Sequence, residues 1–363
     1  MKILNIVKST RSICLSKLRN MCIFLRSCRG FALAVSCSLF CLTLFCGQSE
    51  RKYSSTYFSL DTKIDVTVYS FKNPSPLLDS FGIMVAQYDS SISISNPKSD
   101  VWKINHRINS GVHVRPFTVS MLSFCIDQAD SSGGLFDITV APLKYLYGLE
   151  SHQTTHTVPT QAQLDSVRRF IGIKHLRIMD DTTVFIDSGV TIDLGGIAKG
   201  FLLEKTKKLF IDAGYNKFMV NLGGDLVVWD KKPGNRLWNV GIRYPRNGDM
   251  NMAVLPVSNT CVFTSGDDER YFVKDGIIYH HLFNPLTACP GRKNRSSTVI
   301  YPDPVIADVA VKVSFLMDAP LALEYLAQKK IPGIIVDSTG VIWASKSLKP
   351  VIKPDSTMTI NYK

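Results

Sequence analysis

Cysteine is scarce in most of this 363-residue chain. Six of the nine cysteines (Cys14, Cys22, Cys28, Cys37, Cys41 and Cys46) fall within the first 46 residues, leaving only Cys125, Cys261 and Cys289 beyond them. Three widely spaced thiols exclude a disulfide framework and a zinc-ligand pattern. They leave buried or incidental thiols, or one disulfide with a spare thiol in an oxidising compartment. Charge is also sparse, at 20% of residues, and no block of like charge occurs. The net charge is +12, but residues 1–50 hold seven Lys/Arg and one acid, so the remainder carries 42 − 7 = 35 basic and 30 − 1 = 29 acidic residues, or +6. That mild, unclustered excess excludes a nucleic-acid-binding footprint. Short repeats, low-complexity tracts and regular βαβ spacing are all missing, and the last of these favours an α+β fold over a doubly wound sheet.

The long apolar run is at the start. A basic stretch ends at Arg29, residues 30–46 (GFALAVSCSLFCLTLFC) are uncharged and apolar, and polar GQSERKYSS follows. This is the layout of a secretory targeting segment, with Met21 as a second candidate start. The run is slightly short for a membrane span. Cys46-Gly47 resembles a lipoprotein cleavage site, although Phe45 replaces the usual small residue. A lipid anchor at Cys46, an uncleaved signal anchor and simple cleavage all put residues 51–363 outside the cytoplasmic membrane.

Beyond this segment, residues 47–62 read as a tether and 63–71 (KIDVTVYSF) alternate as a strand. Helical spacing marks residues 77–89, 117–131, 161–170, 198–213, 306–317 and 321–328. Strand-like runs fall at 175–179, 183–186, 191–194, 217–220, 226–229, 333–336 and 341–344. Residues 90–101 read as a Ser-rich loop, 148–160 as a polar insertion and 346–363 as a C-terminal tail. The mixture points to an α+β fold with largely antiparallel sheet.

Several segments pair glycine with polar residues in patterns that suit an anionic ligand. Residues 192–201 (IDLGGIAKGF) place Asp193 before Gly195 and Gly196, with Lys199 at the start of the following helix. Paired glycines let a ligand approach the backbone, and a helix N-terminus can face an anion. Residues 220–226 (VNLGGDL) repeat the device with Gly223, Gly224 and Asp225. Taken alone, Asp193 and Asp225 are equally turn acids, Lys199 an exposed helix lysine, and Asp137 of GLFDITVAPLKYLYGL (134–149) a cap. In VFTSGDDER (262–270), a turn at Thr264, Ser265 and Gly266 offers hydroxyls and N–H groups to a phosphate. In YHHLFNPLTACP (279–290), His281 is the candidate for acid–base work, with His280 on the opposite strand face. Asp308 is the one acid of ADVAVKVSFLM (307–317), read either as a metal ligand or as a charge favoured at a helix start.

Taken together and in order, these motifs resemble the FAD:protein FMN transferase family, the ApbE flavin transferases, over about residues 63–345. GLFDITVAPL is similar to G-x-F-D-P-T-x-x-P-L, IDLGGIAKGF with Glu204 to D-L-G-G-I-A-K-G-y-x-x-D, and SDVWKIN (99–105) to an element near the family's N-terminus. VNLGGDL, TSGDDERYF and HLFNPLTA resemble it as well. The resemblance implies a two-lobed, T-fold-like α+β structure of antiparallel sheets with packed helices. It implies a periplasmic, often lipid-anchored magnesium enzyme that cleaves FAD, attaches FMN to a threonine or serine hydroxyl of a partner and releases AMP. Typical partners are flavin-bearing subunits of membrane redox complexes such as sodium-pumping NADH:quinone reductase. On this resemblance, Asp193, Gly195, Gly196, Lys199, Glu204, Gly223, Gly224, Thr264, Ser265, Gly266 and His281 shape the FAD site. Asp308 holds Mg²⁺ with the carbonyl of Ala198, and His281 is the base for the acceptor hydroxyl.

The chain departs from the family pattern near the metal and phosphates. Lys312 stands where a threonine metal ligand is usual, four residues after Asp308 and so on the same helix face. Asn284 replaces an aspartate, Ala288 a glycine, and Ile138 the proline of F-D-P-T. An ammonium ~4 Å from a divalent ion repels it by roughly 8 kcal/mol at an effective dielectric near ~20. Either Lys312 swings away, its ammonium takes over part of the metal's role, or Mg²⁺ binding is weakened.

Overall fold

The computed structural model describes residues 49–107, 111–150 and 153–363. The targeting segment and Cys46 lie outside these residues. In chain order the strands are β1 (Arg51–Ser59), β2 (Thr62–Ser70), β3 (Gly111–His113), β4 (Leu176–Ile178), β5 (Thr183–Ile186), β6 (Lys217–Leu222), β7 (Asp225–Trp229), β8 (Trp238–Tyr244), β9 (Asn247–Val257), β10 (Thr260–Gly266), β11 (Tyr271–Lys274), β12 (Ile277–His280), β13 (Phe283–Asn284), β14 (Cys289–Pro290), β15 (Asn294–Tyr301), β16 (Gly333–Asp337), β17 (Ile342–Ala344), β18 (Lys353–Pro354) and β19 (Ile360–Tyr362). The helices are α1 (Ser75–Ile92), α2 (Asp100–Asn105), α3 (Pro116–Ser131), α4 (Ala141–Tyr147), α5 (Gln161–Arg168), α6 (Ala198–Asp212), α7 (Pro304–Leu316) and α8 (Ala319–Gln328).

A nine-stranded sheet runs β1-β2-β6-β7-β10-β15-β16-β17-β19. Neighbours from β2 to β17 pair antiparallel, and β17–β19 is parallel. Strands β7 (DLVVW) and β16 (GIIVD) are buried on both faces, which is why they read as near-continuous apolar runs. Along β10, Cys261 and Phe263 join the core under the helices, while Val262 joins a second core shared with β8 and β9. β7 and β16 divide in the same way, Val227 and Ile335 to one side and Leu226, Val228, Ile334 and Val336 to the other. This is the two-residue period of a strand put to use on two layers. Helices α1, α6, α7 and α8 cover the first face, and the β18-β9-β8 sheet packs on the second.

Three expectations about local structure change. Most of the segment read as a tether is strand β1, placed beside β2 in the main sheet. The supposed C-terminal tail is folded: Leu348 and Ile352 are buried, β18 pairs with β9 and β19 with β17. Residues 191–194 form no strand. There the Asn105 side chain accepts from Ile192 N and donates to Ile192 O, both at 2.8 Å, and so substitutes for a neighbouring strand. Cys125, Cys261 and Cys289 are free thiols. Residues Lys52–Lys363 form one compact unit. No helix among the described residues is long and apolar enough to cross a membrane.

Candidate functional site

The glycine-rich segment is held from several sides. Ser99 caps α2 through a 2.9 Å bond from Trp102 N, which sets Asn105 against Ile192. Asp193 N donates to Ile138 O at 2.8 Å, and the Asp193 carboxylate accepts from Gly195 N at 2.7 Å and pairs with Lys144. Burial alone would raise the Asp193 carboxyl, but Lys144 and the Gly195 N–H outweigh it and hold it below the usual carboxylate range.

Helix α6 starts at Ala198 and crosses α7 at Gly200. A methyl at Gly200 would stand 2.8 Å from Pro304 O and 2.9 Å from both Asp308 Cβ and Val305 Cα, so only glycine permits this approach. The contact lets Gly200 N donate to Asp308 Oδ2 at 2.8 Å. The cap of α7 is Asp303, accepting from Val305 N at 2.8 Å and Ile306 N at 3.0 Å; Asp308 lies a turn further in and is fully buried. Asp308 is therefore not the charge that opens the helix. Its other oxygen, Oδ1, pairs with Lys312, whose Nζ also donates to Asp308 O at 3.0 Å. Burial pushes the Asp308 carboxyl up, against the opposing pull of Lys312.

Gly223 and Gly224 form the two-residue turn between β6 and β7, with φ of +59° and +106°. Positive φ at both central positions is what such a hairpin requires. The turn places Asp225 so that Oδ2 accepts from Lys199 Nζ at 2.8 Å and Oδ1 from Thr264 N at 2.9 Å. Burial works against the Lys199 charge, but Asp225 and Glu269 outweigh it and hold the ammonium well above the usual lysine range.

These elements enclose a cavity of about 910 Å³, at the upper end of the roughly 300–1,000 Å³ seen for small-molecule sites. Asp193, Gly195, Gly196, Ala198, Lys199, Gly223, Thr264, Ser265, His281 and Lys312 all line it. Four expected contacts do not. Glu204 lies farther along α6 and pairs with Lys207 at 2.6 Å. Gly224 and Gly266 are outside the lining, and Asp308 sits behind Lys312. Thr264, Ser265 and Gly266 end strand β10 instead of forming a turn.

His281 follows β12, and its N–H donates to Arg270 O at 3.1 Å. Its Nδ1 is 3.4 Å from the same carbonyl. A carbonyl only accepts, so this contact puts the ring proton on Nδ1 and leaves Nε2 as an acceptor. Burial, then Lys144, His280 and Arg270, hold His281 well below the usual histidine range, so the ring is neutral at pH 7. His280 is buried, with Nε2 2.7 Å from Gly291 O and its ring edge-on to Phe315. It is structural, as its strand face implied. Ala288, the substitute for the family glycine, adopts φ +56° in a buried turn.

The donors expected for a divalent ion do not fit one as they stand. Asp308 is engaged by Lys312 and Gly200, Ala198 O accepts from the buried Tyr88 hydroxyl at 2.9 Å, and Asp225 is paired with Lys199. A hard divalent cation needs oxygen ligands, and an ammonium in the set offers none. Among the described residues, no three His, Cys, Asp or Glu side chains converge as a metal-binding group.

Sequence reasoning missed Lys144, Glu269 and Tyr88. Lys144 had a signal: it stands between Ala141 and Tyr147 at helical spacing, on a face both neighbours bury. Glu269 sits in the D-D-E-R run and looks like solvated charge; only the strand order turns it toward Lys199. Nothing in sequence marked the Tyr88–Ala198 bond, 110 residues apart.

The fold and cavity define a mixed α+β protein with a large cavity, lined by both apolar and charged side chains, between a glycine-rich helix start and a β-hairpin. The model of the "ApbE family" matches residues 60–335. "FAD:protein FMN transferase" of Treponema pallidum (strain Nichols) is 28% identical over 330 residues, covering 85% of this chain and 90% of that one. The protein of that description from Klebsiella pneumoniae (strain 342) is 27% identical, covering 77% and 87%. The solved ApbE protein of Thermotoga maritima superposes with a TM-score of 0.79 at 30% identity, covering 83% of this chain and 99% of that one. "Flavin Transferase ApbE from Vibrio cholerae" shares the fold, with a TM-score of 0.75 at 22% identity over 83% and 99%. The chain belongs to the ApbE family.

Proposed function

We propose that this chain is an FAD:protein FMN transferase. The observation that carries the reading is the convergence of ten residues singled out in the sequence, from Asp193 to Lys312 and the neutral His281 among them, on one cavity. The named activity of its relatives supports it.

In the reaction, a threonine or serine Oγ of an acceptor protein attacks the FMN-side phosphorus of FAD. The bond from that phosphorus to the bridging oxygen breaks, AMP leaves with the bridging oxygen, and a phosphoester to FMN forms. His281 Nε2 takes the hydroxyl proton, a contribution of typically ~10²–10⁴-fold. Lys199 and Lys312, which line the cavity, face the diphosphate, where fixed charge stabilises the transition state. Asp308 acts from behind, through Lys312 and Gly200, as a positioning residue. The Mg²⁺ implied by the family resemblance does not fit the Asp308 set.

The proposed acceptor is a flavin-bearing subunit of a membrane redox complex, such as that of sodium-pumping NADH:quinone reductase. The proposed location is the periplasmic face of the inner membrane, with a lipid anchor at Cys46; the basic stretch and apolar run of the N-terminal 46 residues support this. The test is incubation of the chain with FAD and an acceptor carrying a threonine flavinylation motif. In-gel flavin fluorescence on the acceptor, with equimolar AMP, is expected. FMN and AMP without labelled acceptor would make the chain a pyrophosphatase. Intact bound FAD would make it a binding protein.

A further inference from the structure

The oxygens that face a family metal are already answered here by the chain's own donors. Lys312 reaches back one turn along α7 to the buried Asp308, its stem passing Gly196, where a Cβ would lie 3.8 Å from Lys312 Cε. Its side chain is 21% exposed and lines the cavity, so the ammonium has one side on Asp308 and another toward the ligand space. Lys199, also lining the cavity, is seated in the same way on Asp225. A lysine ammonium is an established point-charge partner for phosphate. Both line the same cavity as Gly195 and Gly196, the glycine pair that precedes α6. A divalent ion bound at Asp308 would have to displace Lys312 and then sit beside it, because like charges repel most where water is excluded.

We propose that the Lys312 ammonium, seated on Asp308, stands in for a divalent ion, so that this chain binds FAD and breaks its diphosphate without a metal. The inference rests on the FMN transferase reading and concerns the same site. The bond changes are those of FMN transfer: acceptor Oγ bonds to the FMN-side phosphorus, AMP departs with the bridging oxygen, and the hydroxyl proton passes to His281. Lys312 and Lys199 neutralise the phosphoryl oxygens throughout.

The test compares the full chain and its Lys312→Thr variant, each with FAD, an acceptor carrying a threonine flavinylation motif, and either EDTA or Mg²⁺. FAD binding is followed by flavin fluorescence, AMP release by chromatography, and metal binding by Mn²⁺ electron paramagnetic resonance. The wild-type chain is expected to bind FAD and release AMP equally in EDTA and Mg²⁺ and to leave Mn²⁺ free. In Lys312→Thr, the FAD affinity in EDTA should fall by roughly tenfold and recover with Mg²⁺, as loss of one charge-assisted phosphate contact predicts. Should that variant fail to fold, Lys312→Gln and the wild-type Mn²⁺ titration carry the same comparison. Wild-type FAD binding or AMP release that needs Mg²⁺, or tight Mn²⁺ binding by the wild type, overturns this inference and leaves the transferase reading standing. Absence of FAD binding under every condition overturns both.

Discussion

The Gly200 N–H donates to the Asp308 carboxylate at 2.8 Å, and this bond joins α6 to α7 behind the cavity. It exists because residue 200 has no side chain to hold the helices apart. Gly200→Ala should destabilise the protein: forcing a methyl against backbone atoms costs about 1–3 kcal/mol, more than the ~1 kcal/mol gained in helix propensity. Urea unfolding checks this, through a lower midpoint at unchanged slope. A midpoint at or above wild type would show that the helices part freely.

Lys144 and Asp193 form a pair in which both side chains are at most 16% exposed. Asp193→Asn leaves a buried ammonium without its carboxylate and is expected to cost about 3 kcal/mol. The double variant Lys144→Met, Asp193→Asn removes the orphaned charge and should recover part of that loss. Additive losses in the double-mutant cycle would show that the pair is uncoupled.

His281→Ala should lower transfer by ~10²–10⁴-fold while leaving FAD affinity nearly unchanged. Because the native pKa of His281 lies well below the usual value, wild-type transfer should stay flat as pH falls through ~6.5 and decline only at lower pH. A full-rate alanine variant removes His281 as the base.

The same shift fixes the sign of a stability change. His280 and His281 are both held neutral in the fold, largely by burial. Below their unfolded pKa of ~6.5 the unfolded chain therefore binds more protons than the native one, and stability falls as pH drops through that value. Urea midpoints at successively lower pH should decrease, and less steeply in His281→Ala.

Glu204 lies outside the cavity, so Glu204→Gln should bind FAD as the wild type does. Lys199→Gln should weaken binding by about tenfold, since it removes a charged phosphate contact. A calorimetric titration of the three proteins distinguishes them. An equal loss in Glu204→Gln would return that residue to the site.

The candidate site was legible in sequence where the constraint is local. The Asp193 carboxylate accepts from Gly195 N two residues on, and Lys199 follows in the first turn of α6. Gly223 and Gly224 sit in a turn of two residues. Helix and strand periods were legible for similar reasons, since α3, α6 and β2 expose their alternation within a single element. Residues 191–194 misled because an extended, buried apolar run looks the same whether a strand or an asparagine side chain satisfies its backbone. Glu204 misled because helix phase decides which side of α6 meets the cavity, and a motif does not carry that phase.

By itself the sequence determined the order of the elements, the glycine turns and the charges available to the site, because each depends on neighbours a few residues away. Tertiary structure alone decided their pairing. Lys312 meets Asp308 along one helix, but whether that pair faces ligand or core depends on where α7 packs against α6. Lys144 reaches Asp193 across 49 residues, and Tyr88 reaches Ala198 across 110. Such contacts depend on how a nine-stranded sheet stacks its helices, and no local periodicity encodes that distance.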